Sequence, residues 1–239
     1  MASARKLRVL WLHGYGQTAE SFRLKSGSIR KDSKRVSEWV FANAPHELSD
    51  EQLRARRAAT GRSEAIGSAS DPCVEQIPRT WWHFDSAAHT YDARSLDASV
   101  AHLERIFREE GPFDGVAGFS QGACLALMLA SRQQRGSLPE AIRFRFVCCF
   151  SGFLPHDAAL SATLQQEKVC LPSFHSWGSR DEIITPEQSG AAIGIFTDGD
   201  ATRVEHDGGH LVSSQREVRK GFKAFLTELR LAVASTPPA

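Results

Sequence analysis

The stretch Gly118-Phe119-Ser120-Gln121-Gly122 decides how this sequence folds. It has the form Gly-x-Ser-x-Gly and lies where an apolar run typical of a buried strand, 113–119, meets a run typical of a helix, 121–134. In that setting the pattern predicts a nucleophile elbow, a tight turn that exposes the serine at the top of a sheet. The glycines are needed because a side chain at either position would clash with a neighbouring strand or helix. The alternative is a glycine-rich turn in which Ser120 only caps the helix.

On both sides of this turn, short apolar runs alternate with longer amphipathic ones. We predict strands over 9–12, 36–42, 113–119, 144–150, 173–177 and 202–205. We predict helices over 95–107 with Ser95 as a possible cap, over 121–134, over 186–196 behind the cap Thr185, and over 211–231. This alternation predicts an α/β fold with a mostly parallel sheet covered by helices on both faces.

The length of 239 residues suits one domain with a full core. We assign that core to about 7–230 and expect a variable polar insertion at about 49–77 and a frayed tail at 232–239. Residues 81–84 are either a short strand or the edge of a pocket.

Composition excludes several classes of function. The net charge is +1 with both signs interspersed, so we expect neither nucleic acid nor an anionic lipid surface as a partner. No run approaches the ~18 apolar residues of a membrane span, and the basic start resembles no signal peptide. Five cysteines without metal-like spacing, three of them in apolar runs, are typical of free thiols in a reducing compartment. We therefore expect a cytoplasmic protein, monomeric or homodimeric, without a metal.

An elbow serine needs an acid that orients its base, and Asp181 is the candidate. It lies just past the strand predicted over 173–177, on the turn into the next helix. A carboxylate there can accept a hydrogen bond from an imidazole and hold its tautomer. Glu182 is adjacent and remains an alternative; we prefer Asp181 because Ile183 and Ile184 would then pack inward. Asp181 could also be a turn aspartate bonded to its own backbone.

The candidate base is His210, in His206-Asp207-Gly208-Gly209-His210. The paired glycines let this loop fold tightly ahead of the closing helix. His206 is an alternative base that lies nearer the strand. The spacing of the two histidines resembles zinc ligands on a helix, but Asp207-Gly208-Gly209 opposes a helix and no third ligand is evident.

The oxyanion donors are predicted to be backbone amides. One is that of Gln121, directly after the nucleophile, and the other that of Tyr15, in the loop His13-Gly14-Tyr15-Gly16-Gln17 after the first strand. The same loop could instead form an anion nest. It lacks the later glycines and the Lys-Ser/Thr pair of a phosphate loop, and the third glycine of a dinucleotide fingerprint. We interpret His13 as structural.

The order Ser120, Asp181, His210 is the order of an α/β-hydrolase triad, with each residue after its own strand. A serine, an acid and a histidine in this order are far more specific than the elbow alone.

Four segments together resemble the FSH-type family of eukaryotic serine hydrolases: 12–17, 118–123, Ser151-Gly152-Phe153 and 206–210. The segment 78–84 is similar to that family's Trp-Trp-Phe region, except that His83 precedes Phe84. The elbow itself is shared with acyl-protein thioesterases and bacterial carboxylesterases. The resemblance covers about residues 7–230.

The resemblance implies an α/β-hydrolase fold and hydrolysis of acyl esters, including medium- or long-chain ones, without any cofactor. It implies the triad Ser120, Asp181 and His210. An acyl-protein or acyl-CoA thioesterase is the alternative within the same chemistry. A lipase or a peptidase relative is a further alternative. Large aromatic side chains suit an acyl pocket, although they are also common in the core. The candidates are Trp81, Trp82, Phe84 and Phe153.

An alternative of another class is a binding protein that carries an intact but idle triad, because a fold does not determine a function.

Overall fold

A computed structural model describes residues 5–60, 77–85, 88 and 90–235 of the chain. Ten strands are present in these residues: β1 Leu7–Leu12, β2 Ser37–Ala42, β3 His46–Glu47, β4 Arg79–Thr80, β5 Phe84–Asp85, β6 Thr90–Tyr91, β7 Gly115–Phe119, β8 Phe146–Phe150, β9 Ser173–Gly178 and β10 Ala201–His206. The eight helices are α1 Ala19–Lys25, α2 Gly27–Ser33, α3 Asp50–Thr60, α4 Ala93–Glu110, α5 Gln121–Gln134, α6 Ala158–Gln165, α7 Pro186–Ile193 and α8 Arg216–Ser235.

Six of the strands form one parallel sheet in the order β10-β9-β8-β7-β1-β2. The chain builds outward from β1 to β2 and then returns to the other side of β1 with β7. The strand order therefore reverses between β1 and β7, and in open α/β sheets the crevice at such a point is where ligands bind. The remaining strands pair as two short antiparallel ribbons, β3 with β4 and β5 with β6.

Two hydrophobic clusters cover the faces of the sheet. One contains the apolar residues of α4 and α5, and the other contains those of α8 together with Phe22 of α1 and Ile29 of α2. Every residue from Gln121 to Ser131 of α5 is buried, so this helix is enclosed on all sides rather than along one stripe. The turn at Ser120 is thus anchored to a helix that is buried on all sides.

The α/β prediction is confirmed, and most predicted elements are present with shifted ends. The helix over 121–134 is confirmed, as is the one that follows the cap Thr185, although it ends at Ile193. The predicted cap Ser95 is wrong: α4 begins two residues earlier, behind Asp92, whose side chain accepts from the Arg94 amide.

Three further expectations need correction. The closing helix begins at Arg216 rather than at 211, so the residues after His210 form an extended loop. Residues 81–84 are not one strand, because Trp81 and Trp82 form a bend between β4 and β5. The predicted tail is helical as far as Ser235.

The polar insertion begins with a helix, α3, as far as Thr60. The rest of it, 61–76, lies outside the described residues, as do 236–239 of the predicted tail. Within the described ranges, every helix is too short or too polar to cross a bilayer.

Candidate active site

Ser120 lies at the turn between β7 and α5 in a conformation that side chains seldom adopt, with φ 54° and ψ −118°. Its amide donates to the carbonyl of Phe150 at 2.9 Å, which ties the turn to the end of β8. Its side chain makes no capping hydrogen bond to the helix, so the helix-cap alternative is not supported. A strained serine whose hydroxyl does not cap its helix is the expected geometry of a nucleophile elbow.

The two elbow glycines are required by close backbone contacts. A Cβ atom on Gly118 would lie 2.2 Å from the carbonyl carbon of Gly122. A Cβ atom on Gly122 would lie 2.2 Å from the carbonyl oxygen of Leu12 at the end of β1. The elbow therefore packs directly on β1, and the loop after β1 is held beside Ser120.

Asp181 and His210 are brought together at the ends of β9 and β10. Nδ1 of His210 lies 2.8 Å from Oδ2 of Asp181. The other carboxylate oxygen accepts from the amides of Ile183 at 3.0 Å and Ile184 at 2.9 Å. Burial alone would raise the pKa of Asp181, but the hydrogen bonds from His210, Ile184 and Ile183 outweigh it and hold the pKa below its usual value. Asp181 is therefore ionised, and Nδ1 of His210 must carry the donated proton.

This tautomer leaves Nε2 of His210 with its lone pair, as a base requires. The ring also lies against Phe119, the residue before Ser120, with ring centroids 4.7 Å apart. The imidazole that is bonded to Asp181 is thus directly beside the elbow.

The alternative residues occupy different positions. Glu182 is exposed, whereas Asp181 is 3% exposed. His206 is buried and accepts from the Gly208 amide through Nδ1 at 3.1 Å. One reason given for preferring Asp181 is wrong in part, because Ile184 is buried but Ile183 is 60% exposed.

The loops that carry Asp181 and His210 are joined by their backbones. The amide of Ser179 donates to the carbonyl of His206 at 2.7 Å, and that of Arg180 donates to Gly208 at 3.1 Å. A Cβ atom on Gly178 would lie 2.2 Å from the oxygen of Gly208, so only glycine allows this approach. The hydrogen bond between Asp181 and His210 therefore depends on two docked loops.

The loop after β1 is organised by His13, which is fully buried. Nε2 accepts from the amide of Ala44 at 3.0 Å, so the proton is on Nδ1, which donates to the carbonyl of Gly14 at 2.8 Å. Burial lowers the pKa of His13 to about 4, which keeps the ring neutral. The structural interpretation of His13 is confirmed by these contacts. Gly16, in the same loop, has a φ of 68°, which favours glycine.

The amide of Gln121 belongs to the first turn of α5, where N–H groups have no acceptor within the helix. Its side chain has a role that sequence reasoning missed. Oε1 accepts from the Trp81 amide at 3.1 Å, and Nε2 donates to the carbonyl of Trp82 at 3.1 Å. The residue that supplies a candidate oxyanion amide thus also holds the Trp-Trp bend against the elbow. The sequence carries no signal for this contact, because it joins residues about 40 positions apart.

The four predicted pocket residues differ in how accessible their side chains are to a ligand. Trp81 has no exposed surface, and its indole N–H donates to the carbonyl of His13 at 2.8 Å, so it packs inside the protein. Trp82 is 6% exposed. Phe84 and Phe153 both contact the ring of His156, at 5.7 Å and 5.3 Å between centroids. Trp81 is therefore a core residue. Trp82, Phe84 and the 9% exposed Phe153 remain candidates for the pocket, with His156 as a neighbour that sequence reasoning missed.

In the described part of the chain, no group of three or more His, Cys, Asp and Glu residues is arranged to hold a metal ion. Cys124, Cys148 and Cys149 are buried, and burial raises the pKa of each thiol, which makes them unreactive.

Comparison with known proteins places the chain in a family. Residues 1–222 match the sequence profile described as serine hydrolase (FSH1). The chain is 35% identical to esterase C25G4.2 of Caenorhabditis elegans, covering 95% of this chain and 96% of that protein. It is 32% identical to human esterase OVCA2, covering 95% and 99%. A rhodanese-like domain-containing protein 6 of Arabidopsis thaliana is 35% identical over 93% of this chain, which spans only 39% of that protein.

Among solved structures, that of esterase PE8 superposes with a TM-score of 0.63 at 22% identity, covering 94% of this chain and 93% of that one. At this identity the likeness bears on the fold alone. The extent of the profile match and the identities above show that the chain belongs to the FSH1 family of serine hydrolases.

Proposed function

We propose that this FSH1-family serine hydrolase is a carboxylesterase that works through Ser120, His210 and Asp181 and forms an acyl-enzyme. The observation that carries the proposal is the hydrogen bond from Nδ1 of His210 to the buried carboxylate of Asp181, beside a strained elbow serine. The relatives from C. elegans and human are named esterases, which favours an ester as the substrate.

In the proposed mechanism, Nε2 of His210 takes the proton of the Ser120 hydroxyl while the serine oxygen attacks the acyl carbonyl. The oxyanion accepts hydrogen bonds from the amides of Gln121 and Tyr15. His210 then gives its proton to the leaving alcohol, and the acyl group stays on Ser120. A water molecule, deprotonated by the same histidine, releases the acid and restores the serine.

We assign the acyl chain of the substrate to the side of the elbow that carries Phe84 and Phe153. Phe84 is 37% exposed, and Phe153 closes the buried cluster around α5. An apolar wall of this kind suits a medium- or long-chain acyl group. A Phe153→Ala variant is expected to raise KM for long-chain esters more than for acetate esters.

The test of the triad is labelling by a fluorophosphonate, with the adduct located by mass spectrometry. This probe reacts with a serine that has a working base and oxyanion donors. We expect one adduct, on Ser120, in the wild type and none in Ser120→Ala or His210→Ala. Asp181→Asn is expected to label at least about 10²-fold more slowly, because the base loses its correct tautomer.

His102→Ala is the matched control, since this histidine lies on α4 and hydrogen-bonds to the carbonyl of Asn43. It should label like the wild type. Absence of an adduct on folded wild-type protein would contradict the proposal and favour the idle-triad alternative. Turnover of acyl-CoA or an acylated peptide above that of matched oxygen esters would move the assignment to a thioesterase.

A further inference from the structure

We propose that His206 is a positioning residue that holds the loop of His210 in place through its Nδ1 atom. The effect of this contact on turnover rests on the proposed function, because the position of the loop affects catalysis only if His210 is the base. His206 does not touch the reacting atoms in this proposal and acts only through Gly208.

The position of His206 supports this role. It is the last residue of β10 and pairs in register with Gly178 at the end of β9. It is 4% exposed, and its ring lies under the loop, because a Cβ atom on Gly208 would be 2.9 Å from Nδ1. The imidazole therefore fills the space beneath the turn that leads to His210.

The hydrogen bonding defines the chemical state of the ring. Nδ1 accepts from the Gly208 amide at 3.1 Å, so it cannot carry a proton, and the proton of the neutral ring is on Nε2. Burial lowers the pKa of His206, and the negative charges of Asp181, Asp207 and Glu205 raise it. Burial is the larger effect, so the pKa lies below its usual value and the ring is neutral. Nε2 is buried without a hydrogen-bond partner among the described residues, so the ring is held by the hydrogen bond at Nδ1.

Gly208 is the link between the two loops of the site. Its amide donates to His206, and its carbonyl accepts from the amide of Arg180, the residue before Asp181. Its neighbour Asp207 accepts from the Arg180 guanidinium through its main-chain carbonyl, at 2.5 Å. A displacement of Gly208 would therefore alter the distance between Asp181 and His210 from both sides.

The experiment compares three substitutions that differ in where they place an acceptor. His206→Asn puts an amide oxygen near the position of Nδ1, His206→Gln puts it near that of Nε2, and His206→Leu has none. All three lose the imidazole. We expect His206→Asn to retain most of kcat, and the other two to lose about tenfold to a hundredfold in kcat with little change in KM, as a misplaced base would.

Three NMR measurements test the same point without relying on turnover. In the wild type, His206 should show the proton on Nε2, the Gly208 amide should exchange slowly, and the Nδ1 proton of His210 should be resolved downfield. His206→Gln and His206→Leu should lose the Gly208 protection and the His210 signal, and His206→Asn should keep both.

The outcomes separate the two proposals. If the wild type shows no activity but the NMR signals follow this pattern, positioning by His206 stands and the esterase proposal fails. If Gly208 protection and the His210 signal are equal in all four proteins, or if the three variants lose stability equally and keep full kcat, His206 is only a packing residue and the inference is overturned.

Discussion

The two halves of the candidate site are held in place by different kinds of contact. In the nucleophile half, residues 13–17, 79–82 and 118–122, buried side chains bond to backbone groups of distant segments. In the acid–base half, residues 178–184 and 206–211, backbone hydrogen bonds join the two loops together with the side-chain bonds of His210 to Asp181 and of Arg180 to the Asp207 carbonyl. Side chains such as Ile183 and Leu211 are exposed. Movement of the first half would unpair several buried groups. In the second half the buried hydrogen bonds centre on Asp181 and His206, and exposed side chains surround them.

This difference fits the separate roles that the proposed mechanism gives to the two halves. The oxyanion donors must be fixed before reaction, since their benefit depends on needing no reorganisation. In the proposed mechanism, His210 exchanges protons with both Ser120 and a leaving group, which small movements of its loop would allow. Three predictions test the contrast.

The largest effect is expected from Gly122→Ala in the nucleophile half. Its Cβ atom would lie 2.2 Å from the carbonyl oxygen of Leu12 and 2.6 Å from that of His13, both backbone atoms that cannot swing away. We expect a loss of about 4 kcal/mol or more in the free energy of unfolding, measured by urea denaturation.

Gly190→Ala is the matched control for this substitution. Gly190 is an exposed residue of α7, and a Cβ atom there would meet no other atom within 4 Å. This variant should gain up to about 1 kcal/mol, because alanine favours a helix. Equal stabilities of the two variants would show that the elbow tolerates more movement than its contacts indicate.

An intermediate loss of stability is expected when the pH is lowered, because His13 is buried as a neutral ring. Because the folded protein lowers the pKa of His13 from 6.5 to about 4, the unfolded chain binds more protons between these values. The free energy of unfolding is therefore not reduced by His13 above about pH 6.5. It falls as the pH drops toward 4, by about 3 kcal/mol in total.

His13→Gln isolates this contribution, since glutamine keeps an acceptor for the Ala44 amide but does not titrate. The free energy of unfolding of the wild type should fall more steeply between pH 6.5 and 4 than that of the variant. Parallel curves would mean that His13 is not the buried neutral ring described above.

The smallest effect is expected from Arg180→Ala in the acid–base half. Its guanidinium donates to the Asp207 carbonyl, and its ion pair with Asp207, at 3.9 Å, joins side chains that are 75% and 78% exposed. We expect less than about 1 kcal/mol of lost stability, similar to the loss in Arg203→Ala, whose partner Asp198 is also exposed. A loss above about 2 kcal/mol would show that the acid–base half is as rigid as the other.

The sequence predicted what depends on local pattern. Neighbouring residues determine the periodicity of strands and helices, the two glycines of the elbow and the Thr185 cap. The fold class follows from these local patterns. The placement of Asp181 and His210 at the ends of adjacent strands follows from topology, and the hydrogen bond between them agrees with the predicted pairing. Their catalytic roles stay predictions.

What the sequence did not predict depends on contacts between distant residues. The side chain of Gln121 holds the Trp81–Trp82 bend, and no local pattern indicates that contact. The assumption that Ile183 is buried failed because apolar character does not require burial, particularly in a loop at the end of a sheet. The start of α8 was placed five residues early because the apolar residues Leu211 and Val212 belong to a loop rather than to the helix.

The positive φ of Ser120 has an evolutionary consequence. Glycine would adopt this backbone conformation without strain, so selection for stability alone would favour glycine there. A lineage of this family that lost its substrate would be expected to drift at this position early, and toward glycine. If Ser120 is the nucleophile, as proposed, its presence in this conformation reflects selection for chemistry acting against selection for stability.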